Sequence, residues 1–244
     1  MTQLSVNLNK VALLRNTRDV GVPDVLRAAR IAIDAGASGI TVHPRPDERH
    51  TRPSDVLDLS TFTKEAAVEF NIEGYPTTRF LELVHQVVPV QCTLVPDAPD
   101  QRTSDHGWDL ETDGVRLRPI IVDLKARGIR VSLFMDPDPA IIAAAAAVGT
   151  DRVEIYTEPY ARAFGTPEQA MALDACANCA GEAERAGIGV NAGHDLNLHN
   201  LPTLCQHVPG ILEVSIGHAL VADALELGLR ETVSAYLRAL ASAG

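Results

Sequence analysis

Apolar positions along the chain fall into two alternating rhythms. Short runs rich in Val, Ile, Leu and Phe are separated by longer segments whose apolar residues return every three or four positions. The first rhythm is that of a strand and the second that of an amphipathic helix. The runs predict eight strands, at residues 4–9, 38–43, 68–72, 90–95, 129–135, 152–156, 187–192 and 212–216. The segments between them predict helices at 23–35, 54–67, 77–86, 112–127, 139–148, 167–186, 199–207 and 219–241. Gly36 and Gly128 stand where a helix end favours glycine, and Pro23, Pro139 and Pro167 where a first helical turn tolerates proline.

The phrases IDAGASGITVH, LKARGIRVSLF and AERAGIGVNAG each run helix, glycine, strand, the order of a parallel βα unit. Eight such units in 244 residues fit a closed (β/α)8 TIM barrel with extra helices in its loops better than an open doubly wound sheet, since such barrels run to about 250 residues. No Pro/Ser-rich linker or break in composition divides residues 1–244, so a single barrel domain is expected. Two connections, 96–111 and 157–166, exceed ordinary lengths, and barrels place lids and added helices in such loops.

Charge narrows the possible partners. Twenty-one Lys and Arg against 32 Asp and Glu leave a net charge of −11, which disfavours nucleic acid and anionic membranes, so an anionic ligand must be held by locally placed groups. Cys92, Cys176, Cys179 and Cys205 sit among apolar or small residues without zinc-finger spacing, and no disulfide scaffold is expected. Cys176 and Cys179 have redox spacing but lie mid-helix among alanines, which points to packing. The N-terminus lacks the pattern of a signal peptide, and the longest apolar run, 140–148, is far short of the roughly 20 residues that span a bilayer. A cytoplasmic location is the expectation.

Barrel enzymes build their sites from the C-terminal ends of the strands, and here those ends carry the chemistry. The first strand ends in Asn7 and Asn9, with Lys10, Arg15 and Arg18 beyond. The second ends in His43, followed by Arg45 and His50; the third reaches Glu73; Thr103 follows the fourth; and Glu154 lies in the sixth. The seventh runs into Asn191, Gly193 and His194, and the eighth into Gly217 and His218. The two Gly-His loops occupy positions where barrels hold phosphate, because glycine lets backbone N–H groups approach the oxygens at a helix N-terminus. The segment HPRPDERH, with Arg45 and His50, reads either as a solvated charged loop or as a second anion site. Glu73 follows a run expected to be buried, where desolvation would suit it to general-base work; the plainer alternative is a strand-end carboxylate paired with an arginine. Beside it, His43 would complete an acid/base pair near neutral pH. A two-histidine metal site among His43, His194 and His218 is a further alternative, but no carboxylate has metal-motif spacing, and neither metal nor cofactor is expected. His85, His199 and His207 fall on predicted helices as surface or capping residues. His106 and Trp108 read as loop architecture or part of a lid.

Taken together, VNLNKVALLRNTR, GITVHPRPDERH, EFNIEG, TLVPD with RTSDHGWD, GIRVSLFMD, VNAGHDLNLHN and SIGHAL, in that order, make the chain resemble the pyridoxine 5'-phosphate synthase family over nearly its full length. The resemblance implies a (β/α)8 barrel assembled as a homo-octamer. It also implies condensation of 1-deoxy-D-xylulose 5-phosphate with 3-amino-2-oxopropyl phosphate to pyridoxine 5'-phosphate, phosphate and water. By the same resemblance His43 and Glu73 are proton acceptors and His194 a proton donor. Asn7, Gly193, Gly217 and His218 contact the aminoketone phosphate, Arg18 is a further ligand contact, and Arg45, His50 and Thr103 contact the pentulose phosphate. Glu154 is a pocket residue. The chain departs from the family's best-known form at Asn9 and Lys10, where Asp-His contacts the pentulose phosphate. Two other functions fit the same strand ends: a Schiff-base aldolase using Lys10, which borohydride would trap, and a non-catalytic binder of B6 phosphates.

Overall fold

Eight parallel strands, β1 (Gln3–Asn7), β2 (Gly39–Val42), β3 (Glu69–Gly74), β4 (Gln91–Leu94), β5 (Arg130–Met135), β6 (Arg152–Tyr156), β7 (Gly189–Gly193) and β8 (Ile211–Ile216), close in sequence order into a barrel. β8 returns to pair with β1, Leu4 lying opposite Val214. The structure is a computed structural model and describes residues 2–97, 101 and 103–243. Its helices are α1 (Asn9–Asn16), α2 (Val25–Asp34), α3 (Pro53–Ala66), α4 (Thr78–Val87), α5 (Leu110–Ala126), α6 (Pro139–Val148), α7 (Glu158–Ala163), α8 (Gln169–Ala186), α9 (Leu201–His207), α10 (His218–Leu227) and α11 (Leu229–Ala241).

The strands alternate in chemistry because they face two environments. Leu4, Val6, Ile40, Val42, Phe70, Ile72, Leu133, Val153 and Val214 pack into the main apolar core. The intervening positions are polar and bond to one another: Ser5 to Thr41 at 2.7 Å, Thr93 Oγ1 to Asn71 Oδ1 at 3.0 Å, and Arg152 Nη1 to Asn191 Oδ1 at 2.9 Å. A bond of 3.4 Å from Asn191 Nδ2 on β7 to Gln91 Oε1 on β4 spans non-adjacent strands, so these side chains fill the barrel interior. Lower down, Glu69 pairs with Arg130. Polar parity therefore identifies the inward face, and Glu73 and Glu154 share it with Asn71 and Arg152.

The eight strands stand where the periodicity expects them, and β6 and α6 match residue for residue. The differences have local causes. The first strand stops at Asn7, not at residue 9, because Asn7 Oδ1 accepts the Asn9 N–H at 3.0 Å and turns the chain into α1, a helix the apolar spacing does not reveal. The predicted helix 219–241 is two helices, broken at Gly228 with φ +79°. Pro23 and Pro167 lie before their helices, whose N-caps are Asp24 and Glu168. His199 lies in the turn ahead of α9, whereas His85 and His207 sit on helices beside Asp123 and Asp174.

Of the two long connections, 157–166 holds α7, whose Tyr160 is fully buried and donates to Asn200 O. In the other, 96–111, residues 98–100 and 102 lie outside the described residues. Its far end is an anchor: Trp108 is buried, donates from Nε1 to Leu94 O at 2.8 Å and stacks on Tyr75. Gly107 lets that anchor seat, since a Cβ there would collide with Asp136 N and stand 2.6 Å from Met135 Cα. Gly107→Ala is therefore expected to cost about 2 kcal/mol, read as a lower urea midpoint at unchanged m-value; an unshifted midpoint would contradict this.

Candidate active site

At the C-terminal ends of the strands a cavity of about 710 Å³ opens, lined from β1, β3, β6 and β8 and the loops beyond them. Asn7, Asn9, Lys10, His43, Arg45, His50, Glu73, Thr103, Glu154, His194, Gly217 and His218 all line it. Residues far apart in sequence thus meet at one rim. Two candidates stand elsewhere. Gly193 lies behind the wall against Glu154, and Arg18 is exposed in the turn after α1, outside the lining.

The centre of the cavity is a buried acid/base cluster. Glu73 accepts a long bond of 3.5 Å from Asn7 Nδ2. Burial, then the nearby carboxylates of Glu154, Asp97 and Glu213, push its carboxyl well above the usual range, with Arg45 opposing. Burial lifts Glu154 to about 7. The Glu154 carboxylate fits because position 193 is glycine: a Cβ there would overlap Oε1 and stand 3.3 Å from Cδ. His194 Nδ1 faces the same Oε1 across 3.9 Å, buried and without a hydrogen-bond partner among the described residues. The ring is seated between Phe134, 4.7 Å between centroids, and Tyr156, 5.4 Å. Burial holds this imidazole at about 4, and burial followed by the charges of Arg45, His50 and His194 pushes His43 well below its ordinary value. Near pH 7 both rings are neutral, Glu154 is poised to exchange a proton, and burial makes Glu73 more basic than an ordinary carboxylate.

Raised and lowered groups have opposite linkage to stability. Glu154 takes up its proton more readily folded than unfolded, so its contribution is present below about 4.5 and lost as pH rises through about 7. His43 and His194 act in reverse, since protonation favours the unfolded chain as pH falls. Glu154→Gln removes only the first effect. The variant's stability relative to the parent is thus expected to grow by a few kcal/mol from pH 4.5 to 7.5, measured by urea unfolding across that range; a difference independent of pH would contradict the assignment.

On one side of this cluster lies the loop between β2 and α3. It is not a solvated charged loop: Arg45 and Asp97 form an ion pair with side chains only 4% and 2% exposed, and Arg45 Nη1 donates to Gln101 O at 3.0 Å. Ser104 Oγ adds a bond of 2.8 Å to Asp97 Oδ2. His50 Nδ1 accepts the Thr51 N–H at 2.9 Å. Burial, then Arg45, Arg49 and Lys10, lowers His50 to about 4, so the ring is neutral with its proton on Nε2, a donor for an anion. The loop is gripped from α1. Asn16 Nδ2 donates to the carbonyls of Glu48, Arg49 and His50, and Arg15 pairs with Asp55. Arg15 is thereby structural.

The other side is made by the N-terminus of α10, while that of α1 lies toward His50. α10 starts at His218 with no side chain capping its first turn, leaving N–H groups directed at the lining. Gly217 admits close approach, since a Cβ there would sit 3.1 Å from Asn7 Cβ. α1 presents Asn9 and Lys10. Asn9 Oδ1 accepts from the His43 backbone N–H at 2.8 Å and from Thr51 Oγ1 at 3.0 Å, so that oxygen organises the rim. Sequence reasoning passed over Asp97 and the two aromatic walls. Asp97 closes TLVPD directly beyond a strand end, and Phe134 and Tyr156 share the inward parity of Ser132 and Glu154, signals that were present in the sequence.

A second cavity, of about 450 Å³, lies at the opposite end near α3 and β3, where Lys64 bonds Val87 O and Glu69 pairs with Arg130. Among the described residues no group of three or more His, Cys, Asp and Glu could hold a metal ion, and no helix is long and apolar enough to cross a membrane.

Comparison with known proteins is consistent with this geometry. The family described as "Pyridoxal phosphate biosynthesis protein PdxJ" matches residues 4–242. The chain is 58% identical over 246 residues to the pyridoxine 5'-phosphate synthase of Albidiferax ferrireducens, covering 98% of each chain. It is 52% identical over 242 residues to that of Brucella anthropi, covering 98% of this chain and 99% of the other. Among solved structures, a tryptophan synthase from M. tuberculosis superposes with TM-score 0.67 at 15% identity, covering 98% of this chain and 92% of that one. A thiamine phosphate pyrophosphorylase from Pyrococcus furiosus gives 0.61 at 12%, covering 99% and 96%. These two likenesses are of fold alone.

Proposed function

The chain belongs to the PdxJ family of pyridoxal phosphate biosynthesis proteins, and from that membership we propose that the rim cavity is its active site, with Glu73, His43 and His194 as proton-transfer groups. The activity is that of a pyridoxine 5'-phosphate synthase, which joins 1-deoxy-D-xylulose 5-phosphate to 3-amino-2-oxopropyl phosphate and releases phosphate and water. The convergence of the three groups on one cavity flanked by two anion-binding ends carries the assignment.

The chemistry needs protons moved at several carbons without bulk water. The amine attacks the pentulose ketone to give an imine, losing water. Removal of a proton from the adjacent carbon gives an enamine, and the pentulose phosphate leaves. The nucleophilic carbon then closes on the aminoketone carbonyl, and dehydration completes the ring. Glu73, buried and of raised proton affinity, takes the carbon-bound proton with neutral His43 as its neighbour, and His194 returns a proton to the departing oxygen. Glu154, lifted to about 7, faces His194 and is the source of the proton that the neutral ring relays, steadying the imidazolium formed in passing. Arg45, His50 and Thr103 take the pentulose phosphate that leaves. Gly217, His218 and Asn7 take the phosphate that stays, Gly193 serving through the room it leaves for Glu154. Both substrates held in one cavity lose little further entropy on reaction.

Lys10 lines the pentulose end as a cation for the sugar phosphate. Arg18, exposed beside Leu14, Val20 and Val22, belongs to a face suited to contact with a second copy, in keeping with the homo-octamer that the family resemblance implies. A cytoplasmic location belongs to the same proposal, since phosphate esters do not cross a bilayer unaided. Purified protein mixed with both substrates is expected to produce the pyridine chromophore and free phosphate in equal amounts. Phosphate without chromophore, or covalent trapping of substrate at Lys10 by borohydride, would overturn the assignment.

A further inference from the structure

Given the proton-transfer role proposed for His194, we infer that Thr157 is its positioning residue, acting through the backbone of the turn that carries the imidazole. β6 and β7 pair up to the rung Tyr156 with Gly193, and the Thr157 N–H donates to Gly193 O at 3.0 Å beyond it. There the chain of β7 turns sharply. His194 has φ +83° and Asp195 φ +56°, two consecutive non-glycine residues in left-handed conformations. Such backbone persists only where its surroundings hold it.

Thr157 is what holds it. Its Oγ1 lies 2.6 Å from Gly193 O and 2.7 Å from His194 O, so one hydroxyl proton is shared between the carbonyls of the two peptides that flank the His194 Cα. The side chain is fully buried. Although Thr157 is the residue preceding α7, its hydroxyl makes no cap to its own helix, where threonine at that position ordinarily bonds. The hydroxyl serves the neighbouring strand instead.

The orientation of the His194 peptide fixes where the ring sits. In the observed pose the imidazole occupies the seat between Phe134 and Tyr156 with Nδ1 turned to Glu154. Loss of the Oγ1 bond frees the His194 carbonyl, lets the turn relax and swings the ring out of that seat. The charged and titratable groups facing the ring are Glu154 and Tyr156 from β6, His43 from the end of β2, Arg45 from the loop after it and Asp195 from the turn itself.

Thr157→Val keeps the shape and removes the donor, whereas Thr157→Ser keeps the donor. The valine variant is expected to lose at least about tenfold in kcat with KM for both substrates within about threefold, and the serine variant to stay within about threefold of the parent. Proton NMR of the His194 ring supplies a readout that lost stability would not move. The midpoint, about 4 in the parent, is expected to rise by roughly one unit or more toward that of free histidine in Thr157→Val and to stay put in Thr157→Ser. Thr157→Ala carries the same expectations should the valine variant fail to fold. Parental kcat together with a parental midpoint in the valine variant, lost turnover with an unmoved midpoint, or equal impairment of the serine variant, would overturn the positioning role. A His194→Asn enzyme separates the two levels: if it turns over at the parental rate, the catalytic role of His194 falls, while the midpoint in Thr157→Val still decides the role of Thr157.

Discussion

Glu73→Gln is expected to lower kcat by about 10³-fold while leaving KM for both phosphorylated substrates within about threefold. The amide has the size of the carboxylate and can still accept from Asn7 Nδ2, so the cavity keeps its shape and its two ends, proposed to bind the phosphates, are untouched. What disappears is the proposed base, the group expected to take a carbon-bound proton. The same substitution removes a carboxyl crowded by Glu154, Asp97 and Glu213, so the variant should be no less stable than the parent at pH 8. Steady-state kinetics with phosphate release as readout, beside a thermal melt, checks both parts. Parental kcat would remove Glu73 from the role of base.

The second large effect is expected from a single methyl group. Gly193→Ala places a Cβ where Glu154 Oε1 now lies, with Ser215 O only 3.4 Å away on another side. The carboxylate is 2% exposed and has little room to retreat. It must rotate away from His194 Nδ1, or the end of β7 must shift, and either displaces the proposed donor from its setting. A loss of about 10²-fold in kcat is expected, with about 1–3 kcal/mol of stability. Gly217→Ala meets Asn7 first, at 3.1–3.2 Å, and should act chiefly on KM for the aminoketone phosphate. If the two alanine variants behave alike, the special fit of Glu154 beneath residue 193 is refuted.

Much of this was legible in the sequence because strand parity and burial are local properties. In EFNIEG, Phe70 and Ile72 alternate with Asn71 and Glu73, and the structure sends the first pair to the helices and the second to the barrel interior. The glycine loops after β7 and β8 were readable for the same reason, since a Gly-His step at a strand end needs no distant partner to be noticed. What escaped depends on contacts between distant residues. Arg45 read as a cation in a solvated loop or at an anion site, and its burial against Asp97, 52 positions on, could not be seen. The bonds that tie Asn9 Oδ1 to the His43 N–H and Thr51 Oγ1 were equally invisible. The helix α1 was hidden because its start is set by one side-chain bond from Asn7 and not by apolar spacing. Thr157, in a connection read only as long, acquires meaning when His194 is brought beside it.

The most direct test of the account is a crystal structure of the protein soaked with pyridoxine 5'-phosphate and inorganic phosphate. The product ring should lie among Glu73, His43 and His194, its own phosphate at the N-terminus of α10 by Gly217 and His218, and the free phosphate near Arg45 and His50. A ring bound outside that rim, or both phosphates at one end of the cavity, would contradict it.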